Sequence, residues 1–279
     1  MLAEGAKVAA ESRVVRVVAP NPSPMTLEGT NSYLILGAGE AIAIDPGPSH
    51  SEHVAALVAL AAQNGCRIAA IAVTHGHPDH APGAALLRQL TDARVYAHAA
   101  ATFPHDRIAL DGARIAVSGA ELQAFDTPGH ARDHLVFWFE PEAALFAGDV
   151  ILGRGTTLIA PPDGDMRAYQ ATLRRLRVEF AGASTIFGGH GEPISETVAK
   201  IDEYLAHREA REQQVLGALA AGDHMLSELV AAIYGDIANE LRWAAALQVQ
   251  AYLIALEREG RVRSRDAADL TRASYRLSE

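Results

Sequence analysis

Two spacings of apolar residues divide this chain. Up to His190, short apolar runs alternate with turn residues and amphipathic stretches; beyond it the spacing is almost wholly helical. Residues 13–18, 32–36 and 41–45 read as strands, and 67–73 as a buried strand. Ser49-His50-Ser51-Glu52 has the form of a capping box, so a helix is predicted from there to about residue 64, with Gly65 as its stop. Residues 84–90 read as a further helix. Strands are predicted near 94–97, 114–117, 121–126, 135–139 and 144–147. Residues 165–180 carry helical spacing through Met166, Tyr169, Leu173, Leu176 and Phe180. In the last part, helices are predicted over 195–221, ended by Gly222, over 226–234, and over 239–259. The third of these lines up Leu241, Ala245, Val249, Tyr252, Leu253 and Leu256 on one face before Gly260. Arg261-Val262-Arg263 and Tyr275-Arg276-Leu277 can pair as a small hairpin. Periodicity alone gives a mixed α/β class.

Chemistry enters at the end of the 67–73 strand. His75-Gly76-His77-Pro78-Asp79-His80 crowds three imidazoles and a carboxylate into six residues, the ligand set expected for zinc or a similar divalent ion. The cluster lies on a strand-to-helix turn, where α/β proteins place their sites. Three later segments each close a strand with one more ligand type beside glycine: Asp126-Thr127-Pro128-Gly129-His130, Leu145-Phe146-Ala147-Gly148-Asp149 and Ile186-Phe187-Gly188-Gly189-His190-Gly191. Glycine there lets the backbone turn sharply and approach an ion. Singly, each segment reads more readily as a turn or cap than as a ligand. Their order behind the first cluster gives them weight.

The order His-x-His-x-Asp-His, Pro-Gly-His, Gly-Asp and Gly-His resembles the metallo-β-lactamase fold superfamily over roughly residues 13–200. Gly29-Thr30-Asn31-Ser32-Tyr33-Leu34 and Ile44-Asp45-Pro46-Gly47 resemble that family's early strand pair and Asp-x-Gly turn. The resemblance implies a four-layer αββα sandwich with a small C-terminal helical, winged-helix-like domain, divided here as 1–205 and 206–279. It implies that His75, His77 and His130 hold one metal, that Asp79, His80 and His190 hold a second, and that Asp149 bridges them. Asp45 would support the ligand loop. Residues 21–31, the Thr74–His80 motif and the tail resemble the β-lactamase-like protein 2 branch. That branch includes a single-strand-specific endoribonuclease, and related fungal enzymes are thioesterases on carrier-bound polyketides. The metal motif is also similar to that of glyoxalase II, but the tail is not. No insertion large enough for a β-CASP nuclease cap separates His130 from Asp149.

Two divalent ions, zinc first and manganese or iron as substitutes, would share a water, lower its pKa toward neutrality and polarise a carbonyl or phosphoryl oxygen. Asp79, between ligand histidines, would supply a hard oxygen donor essential to catalysis. A metal-bound histidine needs a partner for its other nitrogen. Asp45, Asp133 and backbone carbonyls are the candidates. His134 has two readings: a pocket residue that protonates the leaving group, or a local hydrogen-bonding residue at the start of the 135–139 strand. His50, His53, His98, His105, His207 and His224 fall outside the ligand pattern and read as surface or structural.

With 49% apolar residues, the chain can bury a real core. No apolar run approaches the ~18 residues of a membrane helix. Met1 to Lys7 lacks the form of a signal peptide, and a single cysteine, Cys66, suits a reducing cytoplasm. The first feature argues against a secreted antibiotic-resistance enzyme. The net charge of −10 disfavours broad attraction to nucleic acid. The tail arginines Arg258, Arg261, Arg263, Arg265, Arg272 and Arg276 keep RNA as an alternative partner. Because the tail is not strongly basic overall, a helical cap that shapes the pocket is preferred to a nucleic-acid-binding winged helix. The expected activity is therefore hydrolysis of an ester, thioester, lactone or lactam on a small-molecule or carrier-bound acyl substrate. The alternatives are an endoribonuclease with the same metals, a nucleic-acid-binding regulator with structural metals, and iron-dependent oxidation.

Overall fold

The computed structural model describes residues 12–265 and 273–278. Met1 to Lys7 and Arg272 lie outside the described residues. The chain runs β1 (Val14–Val18), β2 (Asn31–Leu36), β3 (Glu40–Ile44), α1 (Ser51–Gln63), β4 (Arg67–Ala72), α2 (Gly83–Thr91), β5 (Arg94–Ala97) and β6 (Arg107–Ile108). It continues through β7 (Arg114–Val117), β8 (Ala120–Asp126), β9 (Leu135–Phe139), β10 (Ala144–Gly148), α3 (Met166–Glu179) and β11 (Thr185–Gly188). The last part holds α4 (Thr197–Leu219), β12 (His224–Met225), α5 (Leu226–Ile233), α6 (Arg242–Arg258), β13 (Val262–Arg265) and β14 (Ser274–Leu277).

One sheet has the order β1-β2-β3-β4-β5-β6 and the second the order β11-β10-β9-β8-β7. Strand alternation explains the layers. Tyr33, Ile35, Ile42 and Ile44 point between the sheets, against Leu122, Phe137 and Phe146. Their neighbours Leu34, Ala43 and Ile71 face Val54 and Leu57 of α1 and Leu87 of α2. On the far side of the second sheet, Val136 and Leu145 join Tyr169 and Leu173 of α3 in a third cluster. Helix, sheet, sheet and helix form the four-layer α/β sandwich. The parallel pairs β3/β4 and β4/β5 bring the ends of β3 and β4 to one rim.

That third cluster continues without a break into Tyr204 and Val215 of α4, Leu229 of α5 and Val249, Tyr252 and Leu256 of α6. The expected boundary between 205 and 206 falls inside α4. The tail hairpin forms as β13 and β14, and the two residues of β12, unseen in the sequence, complete a three-stranded wing. The capping box at Ser49 does not form. A turn in which His50 N–H donates to Pro48 O starts α1 later, and His50 occupies the cap with no side-chain bond. Asp165 does cap α3, accepting from the N–H groups of Arg167 and Ala168 at 2.9 and 3.0 Å. No helix among the described residues is long and apolar enough to cross a membrane.

Candidate metal centre

The centre is assembled at the rim where β3, β4, β10 and β11 end. Asp45 follows β3 in a left-handed backbone conformation (φ 47°), and its carboxylate is buried. Oδ1 accepts from Thr74 N–H at 2.7 Å; Oδ2 accepts from Thr74 Oγ1 at 2.7 Å and from His80 Nδ1 at 2.8 Å. Thr74 Oγ1, having donated to Asp45, accepts from His75 Nδ1 at 3.0 Å. One carboxylate thus fixes the Nδ1 proton of two histidines and turns Nε2 of each toward the centre.

His130 donates from Nδ1 to Leu158 O at 2.9 Å, and His190 from Nδ1 to Gly29 O at 3.2 Å. Of the expected supports, Asp45 and two backbone carbonyls serve; Asp133 bonds to none of the ligand histidines among the described residues. Thr74 carries no signal in the sequence beyond its place before His75.

The freed nitrogens converge in two sets. His77 Nδ1 lies 3.0 Å from His75 Nε2 and 2.9 Å from His130 Nε2. A single proton on His77 cannot satisfy two facing lone pairs; a cation can. In the second set, Asp79 Oδ2 lies 3.2 Å from His190 Nε2 and 3.6 Å from His80 Nε2. Asp149 stands between the sets, with Oδ1 at 3.3 Å from His80 Nε2 and Oδ2 at 3.5 Å from His190 and 3.7 Å from His130. His80 Nε2 and Asp149 Oδ1 are buried without a hydrogen-bond partner. Orphaned donors and acceptors of this kind in a nitrogen-and-carboxylate cluster fit divalent metal binding.

Electrostatics separate the two sets. Burial would raise the Asp149 carboxyl, but His190 and His80 hold it well below the usual carboxylate range. Burial likewise opposes charge on His80, yet Asp149 and Asp45 raise it well above an ordinary histidine. His190, also disfavoured by burial, is pushed up to about 9 by Asp149 and Asp79. In the other set burial prevails: His75 falls well below its ordinary value, and His130 falls to about 4. His75 and His130 are therefore neutral imidazoles ready to donate lone pairs.

His134 does not line the pocket. It is fully buried; its Nδ1 bonds to Thr127 Oγ1 at 2.9 Å, and its Nε2 accepts the backbone N–H of Asp149 at 3.1 Å. With both nitrogens engaged and burial holding it neutral, its geometry fits the local reading: it anchors the Asp149 backbone. Proton donation to a leaving group has no path from there. Of the other histidines, His53 is structural, bonding to Ser32 Oγ at 2.8 Å, whereas His207 lines a cavity beside the centre.

Two residues outside the ligand pattern shape the mouth. Met25 and Trp243 line a cavity of about 240 Å³ together with His77, Asp79, His130, Asp149 and His190. Trp243, at the start of α6, is half exposed, so the tail reaches the rim of the candidate centre. A second cavity of about 330 Å³ also includes His130 and Asp149 and runs back between Leu27, Leu158 and residues of α4 and α6.

Residues 25–190 match the Metallo-beta-lactamase superfamily, and residues 226–270 match the Beta-lactamase associated winged helix domain. The second match bears out the winged-helix-like form expected of the tail, and the domain also packs on the sandwich through a shared core. A beta-lactamase-like protein 2 homolog of Caenorhabditis elegans is 33% identical, over 88% of this chain and 85% of the relative. An atrochrysone carboxyl ACP thioesterase of Aspergillus fumigatus is 33% identical, over 81% of this chain and 74% of its own. A metallo-beta-lactamase family protein of Thermus thermophilus shares the fold at a TM-score of 0.79 and 24% identity, covering 95% of this chain and 98% of its own. The chain belongs to the metallo-beta-lactamase superfamily, as a hydrolase that carries the associated winged helix domain and counts beta-lactamase-like protein 2 homologs among its relatives.

Proposed function

We propose that the chain is a dinuclear, zinc-dependent hydrolase of acyl thioesters and related ester, lactone or lactam bonds, acting in the cytoplasm on a small or carrier-bound acyl substrate. The observation that carries this reading is the pair of donor sets meeting at Asp149 beside a cavity with apolar walls. His75, His77 and His130 would hold one ion, Asp79, His80 and His190 the other, and Asp149 both. When bound, such ions acidify water and polarise the oxygen of the scissile group. The chain's own part is to present lone pairs, keep Asp149 ionised and limit water at the mouth with Met25 and Trp243. The thioesterase among the relatives acts, by its name, on a carrier-bound acyl group, which supports the thioester over the other bonds.

The tail arginines weigh against RNA. Three of them are balanced where they stand, Arg258 by Asp165 at 2.6 Å, Arg261 by Glu212 at 2.7 Å and Arg265 by Asp223 at 3.8 Å, which leaves Arg263 and Arg276 as the unpaired cations among the described tail arginines, a small patch for a phosphate backbone. The test is a paired assay on zinc-loaded and chelated protein, with an acyl-thioester and lactone panel in one arm and labelled single-stranded RNA in the other. Chelator-sensitive acyl hydrolysis with intact RNA is expected. RNA cleavage that disappears with chelation and in Asp79→Ala would replace this reading with the ribonuclease.

A further inference from the structure

The cavity beside the metal centre holds a charge that the described chain does not balance. Helix α4 contributes His207, Arg208 and Arg211 to its lining, and α6 contributes Gln248. Arg208 is 1% exposed, yet no carboxylate among the described residues pairs with it. The natural partner one turn along, Glu212, is held instead by Arg167 and, at 2.7 Å, by Arg261. Arg208 Nη1 reaches Gln248 Oε1 at 3.3 Å, Nη2 donates to Thr157 O, and the guanidinium lies 5.0 Å from the Tyr169 ring centre. These contacts orient the fork without neutralising it. A buried guanidinium lacking an anion is unfavourable.

Unused donors mark the same wall. Arg208 Nε has no hydrogen-bond partner. Gln248 Oε1 accepts from Ile159 N–H at 3.1 Å as well as from Arg208, which leaves its Nε2 without a partner. His207 Nδ1 is also buried and unpartnered. Arg211, over the Tyr234 ring at 4.4 Å, has no carboxylate among the described residues. Among the described residues, the only acid lining this cavity, Asp149, belongs to the metal centre.

We propose that Arg208, with Gln248 and Arg211, forms a carboxylate subsite at the inner wall of this cavity, so that the preferred substrates carry a carboxylate on the acyl side of the scissile bond. The inference rests on the acyl-hydrolase reading. Two carboxylate oxygens match the free Arg208 Nε–H and the free Gln248 Nε2 donor. A cation this deeply buried suits the end of a small acyl group rather than a polymer passing along a groove. The apolar lining of Leu27, Leu158, Ile237 and Ala245 would cover the carbon chain between the carboxylate and the metal centre.

The test is calorimetric titration of the full, metal-loaded chain with 4-phenylbutyrate and its neutral amide. Wild type should prefer the carboxylate roughly tenfold or more. Arg208→Met should abolish the preference and Arg208→Lys retain part of it. Arg211→Met, at a half-buried position, should weaken it and keeps the test decisive should Arg208→Met fail to fold by circular dichroism. An unchanged preference in the folded variants would assign carboxylate binding to the metals and overturn the subsite, as would equal binding of acid and amide by wild type. Turnover of a glutaryl thioester and of a neutral valeryl thioester by wild type is followed in parallel. Hydrolysis without carboxylate preference sinks the subsite alone; carboxylate preference in binding with neither thioester hydrolysed sinks the acyl-thioester reading alone.

Discussion

Asp45→Asn should disable both metal sites through proton positions alone. Asparagine tolerates the left-handed backbone at this residue, and its carbonyl can still accept from Thr74 N–H. The change falls on Oδ2, which becomes an amide donor facing two donors. His80 Nδ1, 2.8 Å away, must then accept, which moves its proton to Nε2 and removes a lone pair from the second donor set. Thr74 Oγ1, 2.7 Å away, must also accept, so its hydrogen turns to His75 Nδ1 and pushes that proton to Nε2 in the first set. Each lost orienting bond is worth about 10–100-fold in metal affinity. A charge-assisted buried bond contributes on the order of 1.5–3 kcal/mol, in keeping with that range. Competition titration against a chromophoric chelator would report affinity and stoichiometry, with circular dichroism as the folding control. Thr74→Val cuts only the limb to His75 and should weaken one site more than the other, whereas Thr74→Ser should behave as wild type. Binding of both metals by Asp45→Asn within about threefold of wild type would refute the relay.

Asp79→Ala should lower turnover by roughly three orders of magnitude or more while moving the melting temperature little, because the side chain is a quarter exposed; kcat and a thermal melt decide it, and near-wild-type turnover would remove Asp79 from the site. Gly189→Ala should damage the centre by bulk, since a Cβ there would meet Asp149 Oδ1 at 2.3 Å and His80 Cε1 at 2.6 Å. A loss of roughly 1–3 kcal/mol in unfolding free energy is expected, together with loss of stoichiometric metal in a titration. In chelated protein, the His190 pKa of about 9 against an ordinary 6.5 gives a stabilisation complete below pH 6.5 and lost as the pH rises through about 9. Chelated samples should therefore melt progressively lower over that interval, and metal-loaded samples, whose His190 is already deprotonated by ligation, should not; parallel pH profiles would contradict the assignment.

Most of the ligands were legible because each announces itself locally. His75, His77, Asp79 and His80 lie within one turn, and His130, Asp149 and His190 each close a strand beside glycine. Only topology shows that those strand ends share a rim, and the family resemblance supplied that. The role of His134 was open because its fate depends on partners distant in sequence: the Thr127 hydroxyl and the Asp149 N–H. No spacing rule reveals that both its nitrogens are engaged. The capping box at Ser49 fails for the opposite reason: the local pattern is present, but the turn at Pro48 shifts the helix start past it. Arg208 was invisible altogether. On α4 it sits four residues before Glu212, the ordinary sign of a surface pair, and it becomes an unbalanced charge only because Arg167 and Arg261 occupy that carboxylate.

The same pairing changes the meaning of the tail. Counted in the sequence, its arginines form a basic cluster. In the fold, Arg258 reaches across to the cap of α3 and Arg261 to α4, so these charges fasten the winged helix domain to the sandwich. Partly exposed ion pairs contribute little energy singly, and the continuous core from α3 through α6 holds the domain. That packing brings Trp243 and Gln248 to the walls of the two cavities beside the centre. A winged helix domain can thus serve as a pocket wall without losing its fold: Arg258, Arg261 and Arg265 turn to acids of their own chain, and the face beside the metal centre sets apolar side chains around Arg208 and Arg211, the cations that no carboxylate among the described residues balances.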